Sequence, residues 1–249
     1  MRRFLFIIAV GLLTACGGQK KEANEAYVDF NKEKGDSCLY GLVCEGCTDS
    51  VLVVLPYEGG DPQTFNIIKA MMNRKIYGRP NVGDNIALII NKEDSTVCDY
   101  AINLNELKGT WCYEQEPTII PMPGETKEQA LRHFSKMPDS IRMKEMQPRI
   151  FGFELQGMGN AHTIGIQPSG SKEHTRFEYE EPKLYDSWRT WNRYILLISS
   201  KEKQGDSLVS KTSIDTFSVK MMRRDTLVLV NNNGKELGLY RQATNNIKK

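Results

Sequence analysis

Short apolar runs alternate with polar positions and turn residues along most of the chain, and this pattern predicts strands more often than helices. Residues 38–44 and 50–55 are rich in Val and Leu and flank a turn-like segment, which predicts a hairpin. Residues 63–67 suit strand or helix. Asp61-Pro62 just before them has the form of an N-cap followed by Pro at the first helical position, which favours a helix to about residue 75. The breaker-rich run Arg79-Pro80-Asn81-Val82-Gly83-Asp84 follows, and residues 86–90 and 97–104 are predicted as two further strands.

From Trp111 onward the pattern changes. A strand at 111–114 precedes a polar helical insertion at about 117–149. Within it Thr126-Lys127-Glu128-Gln129 has capping-box spacing, and Asp139 after Pro138 has the form of a second N-cap. The rest is a meander with predicted strands at 150–156, 163–167, 184–191, 194–199, 212–221, 226–231 and 236–241, broken at Gly157-Met158-Gly159-Asn160, Asn192-Arg193, Arg223-Arg224-Asp225 and Asn232-Asn233-Gly234. With the strand of Trp111 the count is eight, the recipe for an up-and-down barrel that closes on itself. The expected fold class is all-β, with two small antiparallel barrels. The first, residues 37–106, has the strand and helix order of an OB-fold; the second spans 107–242 and carries the helical insertion, with a tail at 243–249.

The first residues are of another kind. Arg2 and Arg3 precede an apolar run from Phe4 to Leu13 that only Gly11 interrupts, about half the ~20 residues a spanning helix needs. Leu13-Thr14-Ala15-Cys16 resembles the lipobox of bacterial lipoproteins. The resemblance implies that residues 1–15 are a signal peptide, that Cys16 is lipidated, and that the lipid makes the membrane a partner in the cell envelope. Gly17, where the sorting pattern has Asp for inner-membrane retention, points to the outer membrane. Residues 16–36 are mostly polar and read as a tether, and Tyr27, Val28 and Phe30 suggest that part of it docks on the body.

Charge removes one class of partner. The 33 Lys and Arg stand against 31 Asp and Glu, and without Arg2 and Arg3 the chain is balanced, so no nucleic-acid partner is expected. Six cysteines suit an oxidising compartment; with Cys16 taken by lipid, the odd number Cys38, Cys44, Cys47, Cys98 and Cys112 remains.

Lys108-Gly109-Thr110-Trp111 opens the eight-strand unit and Leu239-Tyr240-Arg241 closes it. The pair resembles the lipocalin signature, Gly-x-Trp on the first strand with a basic residue of the last strand over the indole. The resemblance implies that Trp111 and Arg241 form a structural plug at one barrel end. Asp215-Thr216-Phe217-Ser218-Val219-Lys220 with Asp225-Thr226-Leu227-Val228-Leu229 is similar to paired strands of small lipocalin-like bacterial lipoproteins. Cys44-Glu45-Gly46-Cys47, beside a strand, resembles the NlpE family of envelope-stress lipoproteins, which joins a lipocalin-like and an OB-like barrel in the opposite order.

The candidate chemistry is sparse. A strand-like run follows Cys47, where a redox Cys-x-x-Cys needs a helix, so Cys44 and Cys47 are expected as a disulfide staple across a Glu45-Gly46 turn. A zinc site lacks a second close ligand pair, and His133, His162 and His174 belong to no metalloprotease motif, so neither metal nor cofactor is expected. Strand alternation places Trp188 on one face with Asp186 and Thr190, a mixed surface proposed to line a ligand site. With no catalytic residue nominated, the expected function is non-enzymatic: binding of a small apolar or amphipathic ligand in the second barrel. The alternative is an interaction or stress-sensing protein that binds an envelope protein through its surface, its barrel filled by side chains.

Overall fold

In this computed structural model the described residues are 34–165, 177–180, 182–204 and 207–242. The signal peptide, Cys16, most of the tether, His174 and the tail lie outside them.

The first sheet contains β1 (Leu39–Val43), β2 (Val51–Pro56), β3 (Gln63–Asn66), β4 (Ile76–Tyr77), β5 (Asn85–Ile90) and β6 (Cys98–Asn103), with helix α1 (Ile68–Met72) after β3. Its order is β3-β2-β1-β5-β6-β4. A parallel bridge from Asn66 to Val97 brings β3 to the start of β6 and curls the sheet round on itself. With the two-residue β4 set aside, this is the five-stranded, partly open OB-like arrangement, with its helix between the third strand and the strand that returns beside β1. Leu52, Val54, Phe65, Ile86 and Leu88 fill it.

Two local expectations change here. Residues 63–66 form β3, and the helix is confined to five residues. Pairing with β2 buries Phe65, and that outweighs the helix-start signal of Asp61-Pro62. The expected Cys44–Cys47 staple is not formed: both cysteines are free thiols. The reason is register. Val43 faces Val54, and the Cys44 N–H bonds to the Val53 carbonyl, so Cys44 is opposite Val53 and Cys47 lies within the loop. The Cys47 Sγ instead accepts from the Val53 N–H at 3.2 Å and donates to the Cys44 carbonyl at 3.3 Å.

A one-turn helix, α2 (Leu104–Leu107), leads into the second sheet, with Asn103 as its cap. That sheet comprises β7 (Gly109–Gln115), β9 (Arg149–Leu155), β10 (Ala161–Ile164), β12 (Ser187–Trp191), β13 (Tyr194–Gln204), β14 (Ser207–Met222), β15 (Thr226–Asn231) and β16 (Glu236–Arg241). The eight strands form a nearly closed antiparallel barrel in the order β10-β9-β7-β16-β15-β14-β13-β12, and an Asn160–Ser187 bridge draws its two edges together. Strand count and chain order match the sequence expectation. The turns joining β12 to β13, β14 to β15 and β15 to β16 are short, so these strands pair with their sequence neighbours, while β7 pairs with β9 across the long insertion and with β16 to bring the first and last strands together.

Between β7 and β9 lie β8 (Thr118–Ile119), α3 (Lys127–Lys136) and α4 (Asp139–Glu145); β8 pairs with β11 (Phe177–Glu178). The capping box of α3 is formed in both directions between Thr126 and Gln129. At α4 the cap is Pro138, and Asp139 is the first helical residue, where its carboxylate pairs with Arg142.

The two sheets share one apolar core. It contains Tyr40, Tyr77, Tyr100 and Ile102 of the first, Leu104 and Leu107 of α2, and Trp111, Phe153, Trp188, Leu197 and Leu229 of the barrel.

Candidate functional site

The barrel has two unlike ends. At one, β7 begins, β16 finishes, and the turns 192–193 and 223–225 gather beside the first sheet. Trp111 is completely buried there and its indole N–H donates to the Leu107 carbonyl at 2.8 Å. The Arg241 guanidinium lies 4.1 Å above the indole ring and donates to the carbonyls of Lys108 at 2.7 Å, Arg224 at 2.6 Å, and Glu106. Burial lowers the Arg241 pKa from its ordinary value, and nearby Glu106 opposes the shift. Gly109 has φ +129°, and a side chain there would collide with Arg241, so the Gly-x-Trp spacing has a steric reason. This is the arrangement that the lipocalin resemblance implies for Trp111 and Arg241.

Beside the plug the interior is filled. Phe153, Leu155, Ile195, Leu197, Phe217, Val219, Leu227 and Leu239 are all buried. Towards the far end the filling loosens: Tyr113, Tyr185 and Leu237 are only partly buried. Rings continue outward in contact. Tyr113 and Phe151 have centroids 6.2 Å apart, as do Phe151 and Tyr179, and Tyr185 stands edge-on to Phe153 at 6.2 Å. The insertion reaches this end through the β8–β11 pair and the Phe134–Phe177 contact at 5.9 Å.

One polar group projects into these rings. The Tyr185 hydroxyl donates to Asp215 Oδ2 at 2.7 Å, and Lys183 Nζ donates to Oδ1 of the same carboxylate at 2.6 Å. Thr163 Oγ1 holds the loop, donating to the Lys183 carbonyl and accepting the Tyr185 N–H, each at 2.7 Å. Burial, reinforced by the Asp215 carboxylate, raises the Tyr185 pKa above its ordinary value. The cluster sets a carboxylate, a phenol and an ammonium beside these partly buried rings, a combination suited to orienting the polar end of an otherwise apolar molecule.

The set expected from alternation, Asp186, Trp188 and Thr190, is not brought together on a cavity wall. Trp188 is 4% exposed and donates its indole N–H to the Gln156 carbonyl at 2.9 Å, as a core residue. The Thr190 hydroxyl meets the Tyr40 hydroxyl of the first sheet at 3.1 Å. Asp186 is exposed. Burial raises its pKa, but hydrogen bonds from Ser200 and Ser187 outweigh it and hold the carboxyl below its ordinary range. The period fails because β12 starts at Ser187, so residue 186 is not in the strand. Sequence reasoning overlooked Tyr185 and Asp215, although Asp215 was legible as an acid in the inward register of Phe217 and Val219.

Other candidate groups are accounted for locally. His133 Nδ1 lies 2.5 Å from Glu125, and His162 is an exposed residue of β10. Cys38 donates to the Asn192 carbonyl at 2.9 Å and Cys112 to Gln242 at 3.3 Å, while burial pushes the Cys98 thiol up to about 11. Among the described residues no group of three or more His, Cys, Asp or Glu is placed to hold a metal ion, and no helix is long and apolar enough to cross a membrane.

No protein-family model matches the chain, and no curated protein matches its sequence. Among solved structures it is similar to a lipocalin-like protein from Bacteroides thetaiotaomicron VPI-5482. The identity is 18% and the TM-score 0.31, with 55% of this chain and 97% of that chain covered.

Proposed function

We propose that this protein is a non-enzymatic binding protein that holds a small apolar or amphipathic molecule in the loosely filled end of its barrel. The observation that supports this most is the partly buried Tyr113, Tyr185 and Leu237 around the Tyr185–Asp215–Lys183 cluster. The ligand's apolar part lies against the rings and its polar end meets the cluster. The neutral fluorophore N-phenylnaphthylamine tests the reading. The wild type is expected to bind it, and Leu237→Trp, which fills the space, is expected to lose binding while keeping its circular dichroism spectrum. Equal binding by both proteins removes the barrel end as the site.

The filled plug-side half favours a second reading, docking of an envelope protein on the outer surface, and a wild type that binds no apolar probe selects it. In either case we place the protein in the cell envelope, on a lipid at Cys16 and more on the outer than the inner membrane, from the run Leu13-Thr14-Ala15-Cys16 and Gly17. Cys16→Ala is expected to abolish incorporation of labelled palmitate. Label entering that variant refutes the anchor.

A further inference from the structure

Outside the barrel, a groove of about 970 Å³ runs between the first sheet and the plug end. Its apolar surface includes Met71, 46% exposed on α1, Ile76 of β4 and Met222 at the end of β14. Its charged lining is unequal: Arg79, Arg223, Arg224 and Arg241 face only Asp49 and Glu106. Arg241 is committed to the indole face and three carbonyls. The guanidiniums of Arg79, Arg223 and Arg224 make no hydrogen bond or ion pair with any described residue.

The Arg223 N–H bonds to the Thr226 carbonyl, and the Arg224 carbonyl accepts from Arg241, so the turn carrying two of these arginines is fastened to the barrel plug. A chain whose formal net charge is only +2 thus gathers three uncommitted cations in one concavity. A concave surface of one sign focuses its field on an incoming counter-charge, and guanidinium matches carboxylate and phosphate geometry two bonds at a time. Methionine adapts its flexible thioether to an alkyl chain, and the volume lies at the upper end of the range of small-molecule sites.

We propose that this groove is a second binding site, for an anionic amphiphile. Its phosphate or carboxylate head is held by Arg79, Arg223 and Arg224, and its alkyl chain lies along Met71, Ile76 and Met222. The site is separate from the barrel end and does not depend on the barrel holding a ligand.

The test is calorimetric titration of the purified protein with dodecyl phosphate below its micelle concentration, with dodecyl maltoside and inorganic phosphate as controls. One dodecyl phosphate per chain is expected, and both controls are expected to bind at least about tenfold more weakly. Added salt is expected to weaken dodecyl phosphate binding. The exposed triple variant Arg79→Gln/Arg223→Gln/Arg224→Gln is expected to lose at least about tenfold in affinity with its melting temperature retained. The barrel-end variant Leu237→Trp is expected to change affinity by less than about twofold.

Unchanged affinity in the triple variant, or equally tight binding of the maltoside, overturns the proposal. Loss in Leu237→Trp alone moves the ligand into the barrel and overturns it while supporting the barrel reading. A second arm separates sources: binding to phosphatidylglycerol vesicles and not phosphatidylcholine vesicles, lost in the triple variant and without binding of monomeric dodecyl phosphate, supports the same recognition with the bilayer as supplier. Binding neither to dodecyl phosphate nor to the anionic vesicles overturns it.

Discussion

Trp111 is used on every side. Its ring edge donates to Leu107, one face lies under Arg241, and the rest meets the barrel core. Removing it leaves a cavity that a closed barrel cannot collapse into, so Trp111→Ala is expected to cost about 3–5 kcal/mol by urea titration. A cost below about 0.5 kcal/mol, typical of surface positions, would contradict its placement. Arg241→Ala is expected to cost about 2–3 kcal/mol, because the carbonyls of Glu106, Lys108 and Arg224 lose a charged donor. The double variant should cost less than the two singles added, since both remove the same cation–ring contact. This pair was legible through the resemblance of Gly-x-Trp and the closing Arg, on the first and last barrel strands, to the lipocalin signature. Asp186 was misplaced because alternation predicts a face only inside a strand.

At the scale of elements, the clearest local rule is the capping box of α3. Gln129 N–H reaches Thr126 Oγ1 at 3.3 Å, and Thr126 N–H reaches Gln129 Oε1 at 2.8 Å. Apart from buried Ala130 the helix is largely exposed, so packing gives little substitute for a lost cap. Thr126→Ala is expected to destabilise α3 by about 1 kcal/mol. Hydrogen exchange is expected to accelerate across 127–136 while the barrel strands stay protected; acceleration in the barrel as well would mean the insertion stabilises the whole fold. Of the insertion's methionines, Met143 is 74% exposed and contributes little packing, whereas Met137 and Met146 are half-buried. By contrast the Asp61-Pro62 start of β3 favours a helix, and pairing with adjacent β2 on one side and the Asn66–Val97 bridge on the other make it a strand.

At the scale of the molecule, one core runs through both sheets; two buried phenols belong to it and a third, half-buried, borders it. Tyr40 bonds to Asp36 at 2.6 Å and to Thr190, Tyr100 packs against Tyr77 at 5.4 Å, and Tyr185 bonds to Asp215. Burial is the leading cause that raises all three above the ordinary value of 10.0. Above pH 10 the unfolded chain releases these protons while the folded chain keeps them, so the folded state binds more protons and stability falls as pH rises. Full stability from these groups is expected below pH about 10, with a decline above it. Tyrosinate absorbance is expected to show a fraction that titrates only on unfolding; free titration of every tyrosine in folded protein would count against the shared core. For the same reason fluorescence and circular dichroism are expected to follow one coincident urea transition.

The sequence by itself determined what depends on neighbours: the eight barrel strands and their turns, and the helical insertion with its first cap; the pairing of Trp111 with Arg241 was implied only by a family resemblance. Alternation, turn residues and capping act within a few residues, so their outcome can be read without knowing what lies across the fold. Tertiary structure decided what depends on distant partners. It made β3 a strand, set a register that places Cys44 opposite Val53, turned Tyr185 and not Asp186 towards the aromatic interior, and joined two sheets on one core. Local preferences of about 1 kcal/mol or less yield to the burial of a side chain such as Phe65 or Tyr100, worth about 1.5–3 kcal/mol each. That inequality is why the elements were legible and the assembly of the site was not.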